Sequence, residues 1–79
     1  WGKQVIPHFS ASMVSLAANL SFGLSLSNTV YMEYTLDENP LRSELCHESI
    51  VMRDGKVKAF DRPGLGLDIN WDVVEKFRV

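Results

Sequence analysis

Apolar and polar positions follow two different rhythms along this chain, and the change falls near its middle. Gln4 to Ile6 is a short apolar strand candidate, stopped by Pro7, which lacks a backbone N–H and holds Ile6 extended. From Ser10 to about Leu24, Met13, Ala17, Leu20 and Leu24 recur at spacings of three and four, and Val14, Leu16, Ala18 and Phe22 widen the stripe. This predicts a helix buried over most of its girth, with Ser10 as N-cap, fraying at Gly23 to Ser25 into a Ser27-Asn28 turn. Thr29 to Tyr34 is rich in β-branched and aromatic residues and reads as a second strand. Strand, helix and strand with short connections make a βαβ unit, with parallel strands and a right-handed crossover. Parallel strands need cover on both faces, so two of them with one helix leave open edges and a bare face. Most of the sheet is missing.

The second half has an antiparallel, α+β grammar. Asp37 to Arg42 is a polar connection closed by Pro40, and Ser43 to Glu48 is a candidate helical turn carrying Leu45. Ile50 to Arg53 and Lys56 to Phe60 flank Asp54-Gly55, the sequence of a two-residue type I′ hairpin turn. Pro63 to Gly66 is a loop, and Asn70 caps a short final helix with Trp71, Val74 and Phe77 near one face. No internal repeat or low-complexity segment interrupts the pattern.

Composition narrows the function. With 79 residues the chain holds one domain at most, and a fold of this size usually needs disulfides or a metal to stand alone. The single cysteine, Cys46, excludes an internal disulfide and suits a reducing, cytoplasmic setting; no Cys and His set has zinc spacing. A formal net charge of -2 with scattered basic residues argues against nucleic acid and against an anionic membrane surface. The longest apolar stretch, Met13 to Leu26, is broken by Ser15, Asn19, Ser21, Gly23 and Ser25 and is no membrane span. The chain opens on Trp1 without a signal sequence, as a cut inside a longer protein would.

The chemical clue lies at two strand ends. His8 follows the first strand and Glu33 lies near the carboxyl end of the second, and ligand sites of open α/β sheets and β/α barrels gather at such ends. The alternative is a strand-capping histidine and a solvated glutamate, since ion pairs and caps also occur there. Glu33 sits between Met32 and Tyr34 in a strand expected to be covered on both faces, where a carboxylate needs a partner or a role. His8 can exchange a proton near neutrality, with a neighbouring carboxyl group as hydrogen-bond donor or charged orienting group. Cys46-His47 is a nucleophile pair only on paper, reading instead as a solvated loop. Gly64-Leu65-Gly66 lacks the third glycine of a phosphate cradle and reads as a chain reversal, and Trp71 and Phe77 read as core or interface anchors.

Taken together, Ile6-Pro7-His8, the helix with Ala17-Ala18, Tyr31-Met32-Glu33-Tyr34, Pro40-Leu41-Arg42, Glu44-Leu45, Asp54-Gly55-Lys56-Val57 and Asp61-Arg62-Pro63-Gly64-Leu65-Gly66 resemble the C-terminal end of the mandelate racemase-like enzymes of the enolase superfamily. The resemblance covers essentially the whole chain. It implies an α/β fold: residues 1–36 as the last strand-helix-strand of a modified (β/α)8 TIM barrel, and residues 37–79 as an α+β tail returning to a capping domain. His8 then matches a general base or acid at the end of the seventh barrel strand, and Glu33 a glutamate at the end of the eighth that hydrogen-bonds a substrate carboxylate oxygen. The implied reaction is abstraction of the proton α to a carboxylate, with Mg2+ holding the enediolate. The Glu33-Tyr34 and Pro40-Leu41-Arg42 pattern points to dehydration of an acid sugar; racemisation or epimerisation of a 2-hydroxy acid is the alternative. The Mg2+ ligands and the aspartate paired with the histidine fall outside this chain, so the segment alone is expected to be inactive. Its partners would be the remainder of the barrel and capping domain, a small carboxylate substrate and a second copy of the full-length protein. From a different class, a stand-alone interaction module pairing its open sheet edge with a partner strand fits the same bare edges.

Overall fold

The structure is a computed structural model, and it describes every residue except Trp1, Phe9, Ser10 and Asp37. The Ser10 cap and the first residue of the 37–42 connection therefore lie outside the described residues. Helix α1 spans Met13–Leu24, with Ser12 in the capping position and the Leu16 N–H donating to its carbonyl at 3.0 Å. Of the stripe read from the sequence, Met13, Ala17 and Leu20 turn inward and Leu24 does not, so the expected burial over most of the helix's girth is not found. Met13, Leu16, Ala17 and Leu20 are buried, while Val14, Phe22 and Leu24 remain exposed. The helix is thus covered on one side, and the breadth of its apolar surface exceeds what this chain packs against it. At its end, Ser25 Oγ donates to the Phe22 carbonyl at 2.6 Å, a local bond that competes with another helical turn.

The core joins both halves of the chain. Cys46 and Ile50, from the tail, complete the cluster begun by α1, and Met32, Tyr34, Val57 and Phe60 pack against it half-buried. Leu16, at 1% exposure, is its most enclosed side chain. The Tyr34 hydroxyl donates to the Ile50 carbonyl at 2.9 Å, and the Arg42 guanidinium lies 5.3 Å from the Tyr34 ring centroid, so one aromatic residue ties the second extended segment to the tail. Among the described residues no helix is long and apolar enough to cross a membrane.

Strand pairing is sparser than the sequence predicts. Gln4–Ile6 and Thr29–Tyr34 meet at one parallel bridge, Val5 to Thr29, in place of a ladder. Pro7 can donate no further bond, and a two-stranded parallel ribbon lacks the covered faces that stabilise such ladders. The expected hairpin is closed only at its turn, where Arg53 and Lys56 exchange backbone hydrogen bonds of 2.8 and 2.9 Å. Asp54 and Gly55 both have positive φ, 52° and 70°, as a type I′ turn requires.

Two expectations for the tail need correction. The connection read up to Arg42 is not plain, and the helical turn does not begin at Ser43: helix α2 spans Pro40–Ser43. Asn39 is its N-cap, accepting the Leu41 N–H at 3.0 Å, and Pro40 stands at the first position, where its missing N–H costs nothing. Residues 45–47 run extended: Cys46 forms an antiparallel bridge with Ile69, the Asn70 N–H donates to the Leu45 carbonyl at 2.7 Å, and the His47 N–H donates to the Asp68 carbonyl at 2.9 Å. The loop before Ile69 is the expected chain reversal, closed by the Gly66 N–H on the Pro63 carbonyl at 3.2 Å. Gly66 has a φ of 72°, and a Cβ there would stand 2.7 Å from Phe60 Cβ, so both backbone and packing demand glycine. Helix α3, Trp71–Lys76, starts at Asn70 as predicted, although the Asn70 side chain makes no capping bond. Trp71 is 69% and Phe77 40% exposed, so neither anchors the core of this chain.

Candidate active site

His8 and Glu33 come together. His8 Nδ1 and Glu33 Oε2 are in direct hydrogen-bonding contact, although the residues are 25 apart in sequence. The surroundings are open: the side chains are 79% and 45% exposed. The expectation that Glu33 lies covered on both sides is wrong, and the reason is the two-residue period of an extended chain. Met32 and Tyr34 turn toward the core, while Glu33 points the other way, as does Tyr31 beyond Met32. An exposed ion pair adds little to stability, so the pairing is not what holds the segments together.

The backbone brings them together. The Val5 N–H donates to the Asn28 carbonyl at 3.0 Å, and Asn28 Nδ2 donates to the Lys3 carbonyl at 2.8 Å. Gly23 of α1 sits over both segments: a Cβ at that position would lie 3.3 Å from Pro7 Cγ and 3.4 Å from Thr29 Cγ2. The helix thus approaches the residue before His8 and the start of the second segment as closely as a glycine permits. Sequence reasoning took Asn28 only for a turn residue and Gly23 for a point of fraying. An Asn directly before a β-branched run and a Gly at a stripe position were the available signals.

With Nδ1 turned to the carboxylate, Nε2 is the ring nitrogen left to face a solute. A groove of about 390 Å³ is lined by residues including Leu20, Thr29, Met32, Met52 and Val57, but not by His8 or Glu33. It lies apart from the pair. Among the described residues no three His, Cys, Asp or Glu side chains gather where they could hold a metal ion. Imidazole nitrogen is also a poor partner for a hard cation such as Mg2+, so the pair does not fit that role.

The Cys46-His47 pair is not the solvated loop expected. Cys46 is buried at 5% exposure while His47 is exposed, because extended backbone sends neighbouring side chains to opposite sides. Burial pushes the Cys46 thiol up, and the negative charges of Glu48 and Asp68 push in the same direction. It is a packed thiol, not a nucleophile. Glu48 carries a clasp that the sequence did not reveal: one carboxylate oxygen accepts the Asp68 N–H at 2.9 Å and the other meets Arg62 at 2.8 Å. The Asp68 N–H, and secondarily Arg62, hold the Glu48 carboxyl below its ordinary range.

Two ionisable residues thus meet just beyond two neighbouring parallel segments of an α/β chain, the kind of place where ligand sites of barrels and open sheets gather. Comparison with known proteins makes the class specific: the enolase C-terminal domain-like family matches residues 1–73, and the chain belongs to it. It is 39% identical over 77 residues to the arabinonate dehydratase of Saccharolobus solfataricus, covering 98% of this chain and 20% of that protein. It is 31% identical over 86 residues to the D-galactarolactone cycloisomerase of Agrobacterium fabrum, covering 99% of this chain and 23% of that protein. It is also 32% identical over 66 residues to a D-galactonate dehydratase family member of Pseudarthrobacter chlorophenolicus, covering 84% of this chain and 16% of that protein. The chain spans about a fifth of the length of the curated relatives it matches.

Proposed function

We propose that this chain supplies the last strand-helix-strand and tail of a (β/α)8 barrel enzyme that dehydrates an acid sugar, with His8 and Glu33 at the reacting centre. The contact between His8 Nδ1 and Glu33 Oε2 carries the reading. Two of the relatives quoted are a dehydratase and a dehydratase family member acting in the sugar acid class, which supports this choice of reaction. His8 takes the α-proton on Nε2, with Glu33 against its other ring nitrogen and the aspartate that the resemblance pairs with the histidine lying outside this chain. The family resemblance also implies a hydrogen bond between Glu33 and a substrate carboxylate oxygen. Loss of the β-hydroxyl as water then gives an enol that becomes a 2-keto acid. The Mg2+ implied by the family finds no fitting set of residues among those described here, and its ligands would belong to the rest of the polypeptide. The substrate, the remaining barrel and capping domain, self-association and a cytoplasmic setting are parts of the same proposal.

The test uses the complete enzyme containing this segment, incubated with five- and six-carbon aldonic acids and assayed for 2-keto acid formation and for exchange of the α-proton into deuterated solvent. His8→Asn is expected to abolish exchange while leaving the circular dichroism spectrum unchanged; retained exchange overturns the assignment. Isomerisation is the second reading, favoured by the match to a cycloisomerase. An isomeric acid without 2-keto acid formation would establish it.

A further inference from the structure

We propose that Tyr31 is a further substrate-binding residue of the same site: it stands one layer beneath Glu33 and donates a hydrogen bond from its phenol to the carboxylate end of the acid. This rests on the reading of Glu33 as a site residue facing a substrate carboxylate oxygen; it does not require the contact with His8. The placement comes from the two-residue period of extended backbone. Along the second segment, Met32 and Tyr34 pack toward α1 and the tail, while Tyr31 and Glu33 take the opposite face, with Tyr31 71% exposed. Along the first segment, Pro7 is buried at Gly23 of α1, and Ile6 and His8 on either side of it are exposed. The helix covers the outer face of both segments. In a closed barrel, Ile6, His8, Tyr31 and Glu33 are therefore the side chains left for the interior, whichever strands complete the sheet.

Two residues of strand rise roughly 7 Å, so Ile6 lies one step beneath His8 and Tyr31 one step beneath Glu33. These two lower residues differ in kind. Barrel interiors are filled mainly by branched aliphatic side chains, and Ile6 is one, whereas Tyr31 carries a polar tip that needs a partner once water is excluded. The Tyr34 hydroxyl, on the outer face, is taken by the Ile50 carbonyl at 2.9 Å, but the Tyr31 hydroxyl bonds to nothing among the described residues. Residues 29–32 all border the groove beside α1, so that groove runs along the edge of the segment and does not claim the Tyr31 face. A tyrosine carries its hydroxyl about as far from its backbone as the step that separates it from the residue two places on, and strand side chains lean along the strand. The phenol thus ends near the barrel centre, just below the point that Glu33 reaches. A phenol is a hydrogen-bond donor, and the group above it is a carboxylate that gains negative charge as the α-proton leaves, which is where a donor is most effective.

In the complete enzyme, Tyr31→Phe is expected to lower kcat/KM for α-proton exchange of an aldonic acid about 10- to 100-fold, the range for loss of one hydrogen bond to a charged group. Tyr31→Leu, which restores a branched aliphatic filling, should show a loss of the same size, because both variants lack the hydroxyl. Binding is read separately in a His8→Asn background that does not turn over. There the rise in melting temperature caused by a fixed concentration of the same aldonic acid should shrink when Tyr31→Phe is added, while the melting temperature without the acid stays the same. A kcat/KM for Tyr31→Phe within about twofold of the parent overturns the proposal. So does a lowered melting temperature without acid combined with an unchanged acid-induced rise, because the phenol would then serve only the packing of the barrel. Exchange retained in Glu33→Gln would instead defeat the reading of the site on which the proposal rests, whatever Tyr31 does.

Discussion

Residues 2–36 and the tail beyond them hold their shapes by different means. The first region contributes one helix and two extended segments joined at one bridge, and it leaves Ile6, Phe22, Leu24, Val30 and Tyr31 exposed. The tail closes on itself through polar contacts: the Asn39 cap, the Glu48 clasp on Arg62 and Asp68, and the backbone bonds around Cys46 and Ile69. The candidate chemistry lies wholly in the first region. In that region the two extended segments are joined by hydrogen bonds of Asn28 and lie close to Gly23 of α1, whereas the tail supplies the other wall of the core. The difference teaches that the candidate site residues and the tail's polar bonds are separated along the sequence and meet through the core around α1 and through Tyr34.

Removing the shared wall should break the comparison, and this is the largest effect expected. Leu16→Ala deletes the most enclosed side chain and should cost about 2–5 kcal/mol, with both regions unfolding together in chemical denaturation. Separate transitions would show that the regions are independent. Gly66→Ala should act on the tail: the left-handed backbone alone costs about 1–2 kcal/mol, and the approach to Phe60 adds to it. Alkylation of the buried Cys46 should accelerate in that variant, and an unchanged labelling rate would contradict a tail-centred effect. Asn39→Ala removes a cap and should cost about 1 kcal/mol, measured by the shift in the denaturation midpoint. The smallest effect concerns Glu48, whose carboxyl is held below its ordinary range in the folded chain. A depressed folded value stabilises above the unfolded value, so this contribution is complete near neutrality and fades as pH falls through the folded one. Glu48→Gln should remove that part of the acid dependence in a pH series of denaturation curves.

Local rules made some of this legible in the sequence and left the rest hidden. Much of the inward face of α1 follows from the spacing of Met13, Ala17 and Leu20, although Leu24 of the same stripe is exposed, and the Asp54-Gly55 turn follows from the two positive φ angles its residues accept. His8 and Glu33 could be paired because strand ends are special places in parallel sheets. The Asn39-Pro40 helix start was available as a cap followed by proline, but reading Pro40 as a terminator concealed it. Three features had no local signal: burial of Cys46, decided by Ile69 across the chain; the Glu48 clasp; and the bond from Asn28 to Lys3. Each depends on residues at least 14 apart (Glu48 to Arg62 is the shortest), where periodicity carries no information. The ladder expected between the first two strands failed for the opposite reason, since local propensity was present and the covering layers were not.

The two long-range bridges also bear on how quickly the chain finds its shape. Val5 to Thr29 spans 24 residues and Cys46 to Ile69 spans 23, so in an unstructured chain the entropy of closing either loop is nearly equal. Each loop contains a local element, α1 in the first and the Asp54-Gly55 turn in the second. The helix draws in its loop over 12 residues, whereas the turn is closed by a single bridge between Arg53 and Lys56. A formed α1 shortens the remaining separation between Val5 and Thr29, and with it the loop that must close to bring the strand ends carrying His8 and Glu33 together.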